Sequence, residues 1–272
     1  VCSLDVEDHR PAGEPWPERF TAQTARVLDW FDERGVTATV FVVGSLAVAH
    51  PTLAKEIVAR GHELAFHHWD HVQLTRQTPA EFREQVRRGR GELEDLVGDA
   101  VVGFRAPTAS LVRRTAAAAD ILAEEGFAYS SSVIPARNPL FGFEGLPNHP
   151  FRWASGLAEF PMHVGGVGRH RVPYVCGTYL RILPWPVIGW LSRRQPWPEG
   201  AGVYFHPYDV DEDEPFHWLP DAGLMSPLVW VNRSRMFRRL DRLFADGGAG
   251  PYRDLLHLAD AGPVVDAAAL PA

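Results

Sequence analysis

The sequence predicts an α/β protein built on a parallel sheet, in a single domain of 272 residues. Two observations carry this. Short β-branched or apolar runs alternate with amphipathic helical patterns through the first half, the rhythm of βαβ units. The length lies in the range where α/β barrels form one domain with a full core. Composition agrees, at 46% hydrophobic and 22% charged residues, with Gly 24 and Pro 23 below the share of a disordered chain.

The elements follow in order. "VCSLDV" (1–6) reads as a buried strand. Thr21 to Arg34 is predicted helical, with Val27, Leu28 and Phe31 on one face and Gly35 as its stop. "TATVFVV" (37–43) is a β-branched strand, and Pro51 to Arg60 a short helix with proline favourable in its first turn. "HELAFH" (62–67) is the third strand. Pro79–Leu96 is an amphipathic helix with Thr78 as candidate cap. "AVVGF" (100–104) is a strand, Leu111–Glu125 an Ala-rich helix closed by Gly126, and "FAYSSSV" (127–133) the next strand. The rhythm then breaks. Residues 136–200, rich in Pro, Gly, Trp and Arg, read as a long substrate-side insertion with one strand, "AEFPMHV" (158–164). "GVYFHPYDV" (202–210) resumes the sheet, and Arg233–Phe244 is a late helix. "DVDEDE" (209–214) lacks the glycine of a calcium loop and is expected to be a solvated acidic turn.

Other classes are disfavoured. A net charge of −7 argues against a nucleic-acid footprint. The longest apolar candidate, Ile182–Leu191, is about half a membrane span and holds two prolines. Cys2 and Cys176 make no disulfide framework and read as buried small apolar side chains. The chain starts at Val1 inside a strand, so cytoplasmic and exported locations in a bacterium both stay open, as does the oligomeric state.

The chemistry gathers at strand ends, where parallel α/β folds place functional residues. The first strand ends in Asp5, Glu7 and Asp8; the third in His67 and His71; the fourth in "FRAP" (104–107); the strand after the insertion in "FHP" (205–207). "HELAFHHWDH" is not the helical H-E-x-x-H zinc signature, because the histidine after His62-Glu63 comes one residue too late. His67 and His71, at a strand-to-loop bend, are the better pair. Asp5 and Glu7 share one strand face. One of the two carboxylates can complete a two-His, one-carboxylate metal set with open positions, while the other takes a proton from water. Arg105 offers a fork to orient that second carboxylate, and His206 can protonate a leaving group. Such an assembly suits hydrolysis of an amide or ester.

The motifs "SLDVED", "GHELAFHHWDH", "FRAP", "YSSSVIP" and "VYFHP", in this order over essentially the whole chain, resemble the polysaccharide deacetylases of carbohydrate esterase family 4, the NodB-homology family. "DVED" and "TYLRILP" are similar to the branch found with bacterial exopolysaccharide gene clusters. The resemblance implies a distorted (β/α)7 barrel and N-deacetylation of acetylated amino sugars with one divalent metal ion, zinc foremost and other divalent transition metals as alternatives. It makes His67 and His71 ligands, Asp5 the base, Arg105 its orienting partner, His206 the acid, and the backbone near Thr108 part of an oxyanion site. Two departures matter. The D-V-E-D spacing leaves Glu7 or Asp8 as the carboxylate ligand, with Glu7 preferred because it shares a face with Asp5. Ser130 stands where an aspartate usually supports the arginine. Trp69, Pro107, Thr108, Tyr179 and Arg181 are expected on the substrate side, and Trp153, Tyr174 and Trp185 share a candidate sugar platform with Tyr179 and Arg181. Two other readings compete: an allantoinase-like cyclic-amide hydrolase on the same barrel, and a non-catalytic carbohydrate-binding barrel.

Overall fold

The computed structural model describes residues 1–10, 17–137, 141–168, 170–219, 223–245 and 248–270. Among these, the strands are β1 (Cys2–Val6), β2 (Thr39–Val42), β3 (Glu63–Phe66), β4 (Gly103–Phe104), β5 (Tyr129–Ser130), β6 (Phe151–Trp153), β7 (Ala158–Glu159), β8 (Gly165–Val167), β9 (His170–Val172), β10 (Val203–Phe205) and β11 (Val264–Val265). The helices are α1 (Phe20–Arg34), α2 (Gly44–Ala49), α3 (Pro51–Ala59), α4 (Pro79–Val97), α5 (Ala118–Glu124), α6 (Gly177–Ile182), α7 (Trp185–Arg194), α8 (Met236–Leu243) and α9 (Leu256–Asp260). One sheet runs β10-β1-β2-β3-β4-β5-β7-β6-β11, parallel except between β6 and β7, and β8 and β9 form a separate hairpin.

The period of two along each strand sorts side chains between two apolar regions. Cys2, Leu4, Val6, Val40, Val42, Leu64, Phe66, Phe104, Val203 and Phe205 face outward into a core shared with α1, α3, α4 and α5. Phe41, Ala65, Tyr129, Phe160 and Tyr252 form a second cluster on the inner side. Closure around that interior is made by side chains. Arg105, just past β4, reaches Ser3 and Asp5 on β1 and Ser131 past β5, and it lies over the rings of Phe41, Tyr204 and Tyr252. Gly103 leaves room for this filling, since a Cβ there would sit 2.2 Å from the Tyr129 hydroxyl.

Thr78 caps α4 in a full capping box with Glu81, as expected. Several expectations need correction. The predicted helix from Leu111 begins at Ala118, because the Thr115 hydroxyl accepts from the Val112 amide and donates back to the Ser110 and Val112 carbonyls, tightening residues 113–115 into a 3₁₀ turn. The strand predicted over 158–164 pairs only at Ala158–Glu159; Pro161 cannot donate to a ladder. The late helix is 3₁₀ over Arg233–Arg235 and α-helical only from Met236. Ile182–Leu191 lies largely in α7, which opens with prolines at its N-terminus, and no helix among the described residues is long and apolar enough to cross a membrane. The acidic run 209–214 is not solvated throughout: Asp209, Asp211 and Glu214 are buried in ion pairs with Arg181, Arg19 and Arg233. Cys2 and Cys176 are free and buried.

Candidate active site

Parity continues past each strand end and assembles the site. On β1 the inward set Ser3, Asp5 extends to Glu7; on β3 the inward Glu63, Ala65 extends to His67; on β4 Gly103 extends to Arg105; on β10 Tyr204 extends to His206. The parallel pairings β10-β1-β2-β3-β4 bring these four ends to one rim. His71 joins through a turn at left-handed φ of 57°. That turn is fixed by buried His68, whose Nδ1 accepts from the Asp70 and Val72 amides and whose Nε2 meets Gln77. Of the five non-glycine residues with positive φ among those described, four (His68, His71, Thr108, Ala109) lie in the loops after β3 and β4. Backbone strain thus gathers at the rim.

Glu7, His67 and His71 offer ligand atoms that lie within 4.8 Å of one another, the only such group of three or more among the described residues. His67 Nδ1 donates to the Arg105 carbonyl at 2.9 Å, which leaves Nε2 as the lone-pair nitrogen facing Glu7 at 3.7 Å. His71 Nε2 is buried and 2.5 Å from Glu7 Oε2, yet the geometry is not that of a hydrogen bond. The two atoms aim at a shared point. Two imidazoles and a carboxylate with one orphaned buried nitrogen fit a divalent ion with open positions. Burial opposes charge on Glu7, but His71 and His206 outweigh it and hold its carboxyl well below the usual range; Glu7 in turn outweighs burial and raises His71.

Asp8, the other carboxylate considered as a ligand, is not part of this group. On the opposite strand face, it is held by the Arg10 guanidinium and backbone amide. Asp5 is held by Arg105 Nη1 at 2.6 Å, and both are buried. The remaining Arg105 donors go to Ser3 Oγ and to Ser131 carbonyl and Oγ. Ser130 is therefore not the neighbour of the arginine: its hydroxyl faces the other way, to Ser132, and Ser131 takes the arginine.

On the far side His206 Nδ1 bonds Asp209 at 2.9 Å, and its Nε2 lies 3.8 Å from Glu7. Burial opposes protonation, but Glu7 and Asp209 prevail and push His206 up to about 9. Tyr208 stacks on His206 at 4.5 Å, and His9 on Tyr208 at 4.1 Å. Sequence reasoning missed Asp209 as a partner; the spacing His206-x-x-Asp209 is a capping-box pattern that could have disclosed it.

The substrate-side expectations divide. Pro107 is buried and Thr108 exposed at the rim, with Tyr179 half-buried on α6. Trp69 is buried against α2, with the Arg88 guanidinium 3.8 Å over its ring, so it packs the outer layer. Arg181 is fully buried on Asp209. Trp153 and Tyr174 are buried too, Trp153 donating to Glu159, and Trp185 packs beneath Arg242. The aromatic platform expected of the insertion is mostly core, because these rings supply the apolar area that seats the insertion on the barrel.

Residues 12–128 match the family model described as Polysaccharide deacetylase, and residues 131–256 match Domain of unknown function (DUF3473). The chain carries a polysaccharide deacetylase domain. This deacetylase half is 33% identical over 93 residues to the peptidoglycan-N-acetylglucosamine deacetylase PgdA of Listeria monocytogenes, covering 34% of this chain and 20% of that relative. The chain thus spans about a fifth of the length of that relative. Among solved structures, a putative polysaccharide deacetylase from Mycobacterium smegmatis superposes with a TM-score of 0.59 at 20% identity, over 89% of this chain and 79% of that one. Puue allantoinase superposes with a TM-score of 0.60 at 13% identity, over 96% and 89%. These likenesses show the fold, a mostly parallel (β/α) barrel.

Proposed function

We propose that this deacetylase-domain chain is a metal-dependent hydrolase that removes N-acetyl groups from amino sugars of a poly- or oligosaccharide, and that residues 1–272 work as one catalytic domain. The observation that carries the proposal is the convergence of three groupings at one rim: Glu7 with His67 and His71, Asp5 with Arg105, and His206 with Asp209.

In this reading Glu7, His67 and His71 hold the ion, zinc foremost, which supplies Lewis-acid polarisation of the acetyl carbonyl and of the attacking water. Asp5 takes the proton of that water. Arg105 holds its carboxylate in place by a buried charge-assisted bond, leaving Asp5 Oδ2 as the accepting oxygen. His206 gives its Nε2 proton to the departing amine nitrogen, with Asp209 on the opposite ring nitrogen. Pro107, the backbone at Thr108 and Tyr179 line the acetyl and sugar side. The "DVED" and "TYLRILP" segments support an exopolysaccharide amino sugar as the substrate to try beside chitooligosaccharides.

The test is acetate release by the zinc-loaded protein from N-acetylated chitooligosaccharides and exopolysaccharide fragments, with allantoin in parallel. Acetate from the sugars and no allantoin opening is expected. Allantoin opening alone would replace the reading by the cyclic-amide one. Sugar binding without any turnover would replace it by the non-catalytic one.

A further inference from the structure

Resting on the deacetylase reading, we infer that the segment of unknown function supplies the seat that orients His206, with Asp209 and Arg181 as positioning residues and Gly177 as the space that admits them. Both lie within the DUF3473 match, as does His206. The seat is built from three independent contacts.

First, Asp209 closes a capping box on His206. Its Oδ2 accepts from the His206 backbone amide at 2.8 Å and from the ring Nδ1 at 2.9 Å, while the Asp209 amide donates to the His206 carbonyl at 3.0 Å. An ionised carboxylate only accepts, so the Nδ1 carries hydrogen and the Nε2 is the nitrogen presented toward Glu7. Second, the other oxygen, Oδ1, accepts from Arg181 Nε at 2.8 Å, and both side chains are fully buried. Arg181 is held in turn by the Val231 carbonyl and the Thr178 hydroxyl, so its fork cannot swing away. Third, α6 begins against this pair. A Cβ on Gly177 would lie 2.9 Å from Asp209 Oδ2 and 3.5 Å from His206 Nδ1. Cys176, just before it, bridges in parallel to Tyr204 on β10, which fixes α6 beside the strand that carries His206.

The seat's task is confined to one step. As the C–N bond breaks, its electron pair leaves with nitrogen, and the Nε2 proton of His206 moves to that nitrogen; the Nδ1 proton stays on the ring, bonded to Asp209. A ring free to rotate would present the wrong nitrogen. An activated aryl acetate expels a stable phenolate and needs no such proton, so the seat should matter for amides and hardly for aryl esters.

The experiment compares zinc-loaded wild type with Asp209→Asn, Asp209→Glu, Arg181→Lys and Gly177→Ala on an N-acetylated chitooligosaccharide and on 4-nitrophenyl acetate. Asp209→Asn should lower amide kcat by ~10²-fold or more, within the usual worth of a general acid, with KM and the aryl-ester kcat changed by less than about 3-fold and zinc content unchanged. Arg181→Lys and Asp209→Glu should restore part of the amide rate, and Gly177→Ala should show the same amide-selective loss. Equal losses on amide and ester, or none, would overturn the seat. Should the variants fail to fold, ¹⁵N-histidine NMR of the zinc-loaded wild type decides, with His206 assigned by its absence from His206→Asn: a downfield Nδ1–H proton is expected, and a His206 ring without hydrogen on Nδ1 would overturn the inference. That spectrum reads the seat even where no acetate is released, so failure of the deacetylase reading and failure of the seat are separately visible.

Discussion

The two sides of the rim satisfy their polar atoms in opposite ways. Glu7, His67 and His71 crowd three ligand atoms together and leave His71 Nε2 buried without a hydrogen bond. Across from them, His206 Nδ1 and both oxygens of Asp209 are all bonded, and Arg181 donates from all three nitrogens. An unsatisfied buried cluster costs stability unless something else occupies it. A saturated network holds one geometry by itself. The difference teaches that one side is made to be completed by an ion and the other to hold a proton without help.

Predictions from this contrast run from large to small. His67→Ala or His71→Ala should lower metal affinity by more than ~100-fold, beyond the loss typical of an outer-shell partner, and remove turnover on every substrate; metal analysis after dialysis reads this. Unchanged metal content would dissolve the ligand side of the contrast. His206→Ala should keep the metal, slow amides by ~10²–10⁴-fold and spare activated aryl acetates, so parallel kinetics on both substrates separates the two sides. Zinc should raise the unfolding free energy of the metal-free protein by about 2.7 kcal/mol at a hundred times its Kd. In His206→Ala the same gain should persist, and in His71→Ala it should vanish.

The pH dependence has a definite sign. In the metal-free protein His71 is raised above its ordinary 6.5, burial being outweighed by Glu7. The His71–Glu7 pair therefore adds stability that is full below pH 6.5 and lost as pH rises through the raised value. An ion needs the neutral ring, so zinc uptake near neutrality should release protons, seen as a buffer-dependent heat in calorimetry. Uptake without proton release would mean that His71 is not displaced from Glu7. The smallest effect serves as a control: Thr78→Ala, remote from both sides, should cost about 1 kcal/mol of stability by loss of the α4 cap and change neither metal content nor the amide-to-ester ratio.

Much of this was legible in the sequence because strand parity is strict. Asp5, Glu7, His67, Arg105 and His206 were readable as strand-end residues, and the structure brings their side chains to one rim. Parity also shows why Ser130 misled: one step along β5 reverses the face, and Ser131 takes the arginine. The insertion was illegible for a different reason. Its aromatic and arginine residues have the composition of a sugar platform, but composition cannot tell an exposed ring from one that fills a joint. Arg181 and Trp153 proved buried because Asp209 and Glu159, from other segments, wait beneath them. Long-range pairing of that kind leaves no local period. The shortened helices at 111–125 and 233–244 turn on a threonine hydroxyl and a left-handed Asn232, details that an apolar stripe does not encode.

The central claim is that neighbouring carboxylates on one strand face have divided duties, Glu7 for the ion and Asp5 for the proton. Asp5→Asn and Glu7→Gln, purified alike, should be compared for zinc per chain and for acetate release from chitooligosaccharide. Asp5→Asn should bind about one zinc, the stoichiometry of a single site, and release no acetate; Glu7→Gln should fail to retain zinc at all. Loss of zinc from Asp5→Asn together with full retention in Glu7→Gln would contradict the assignment.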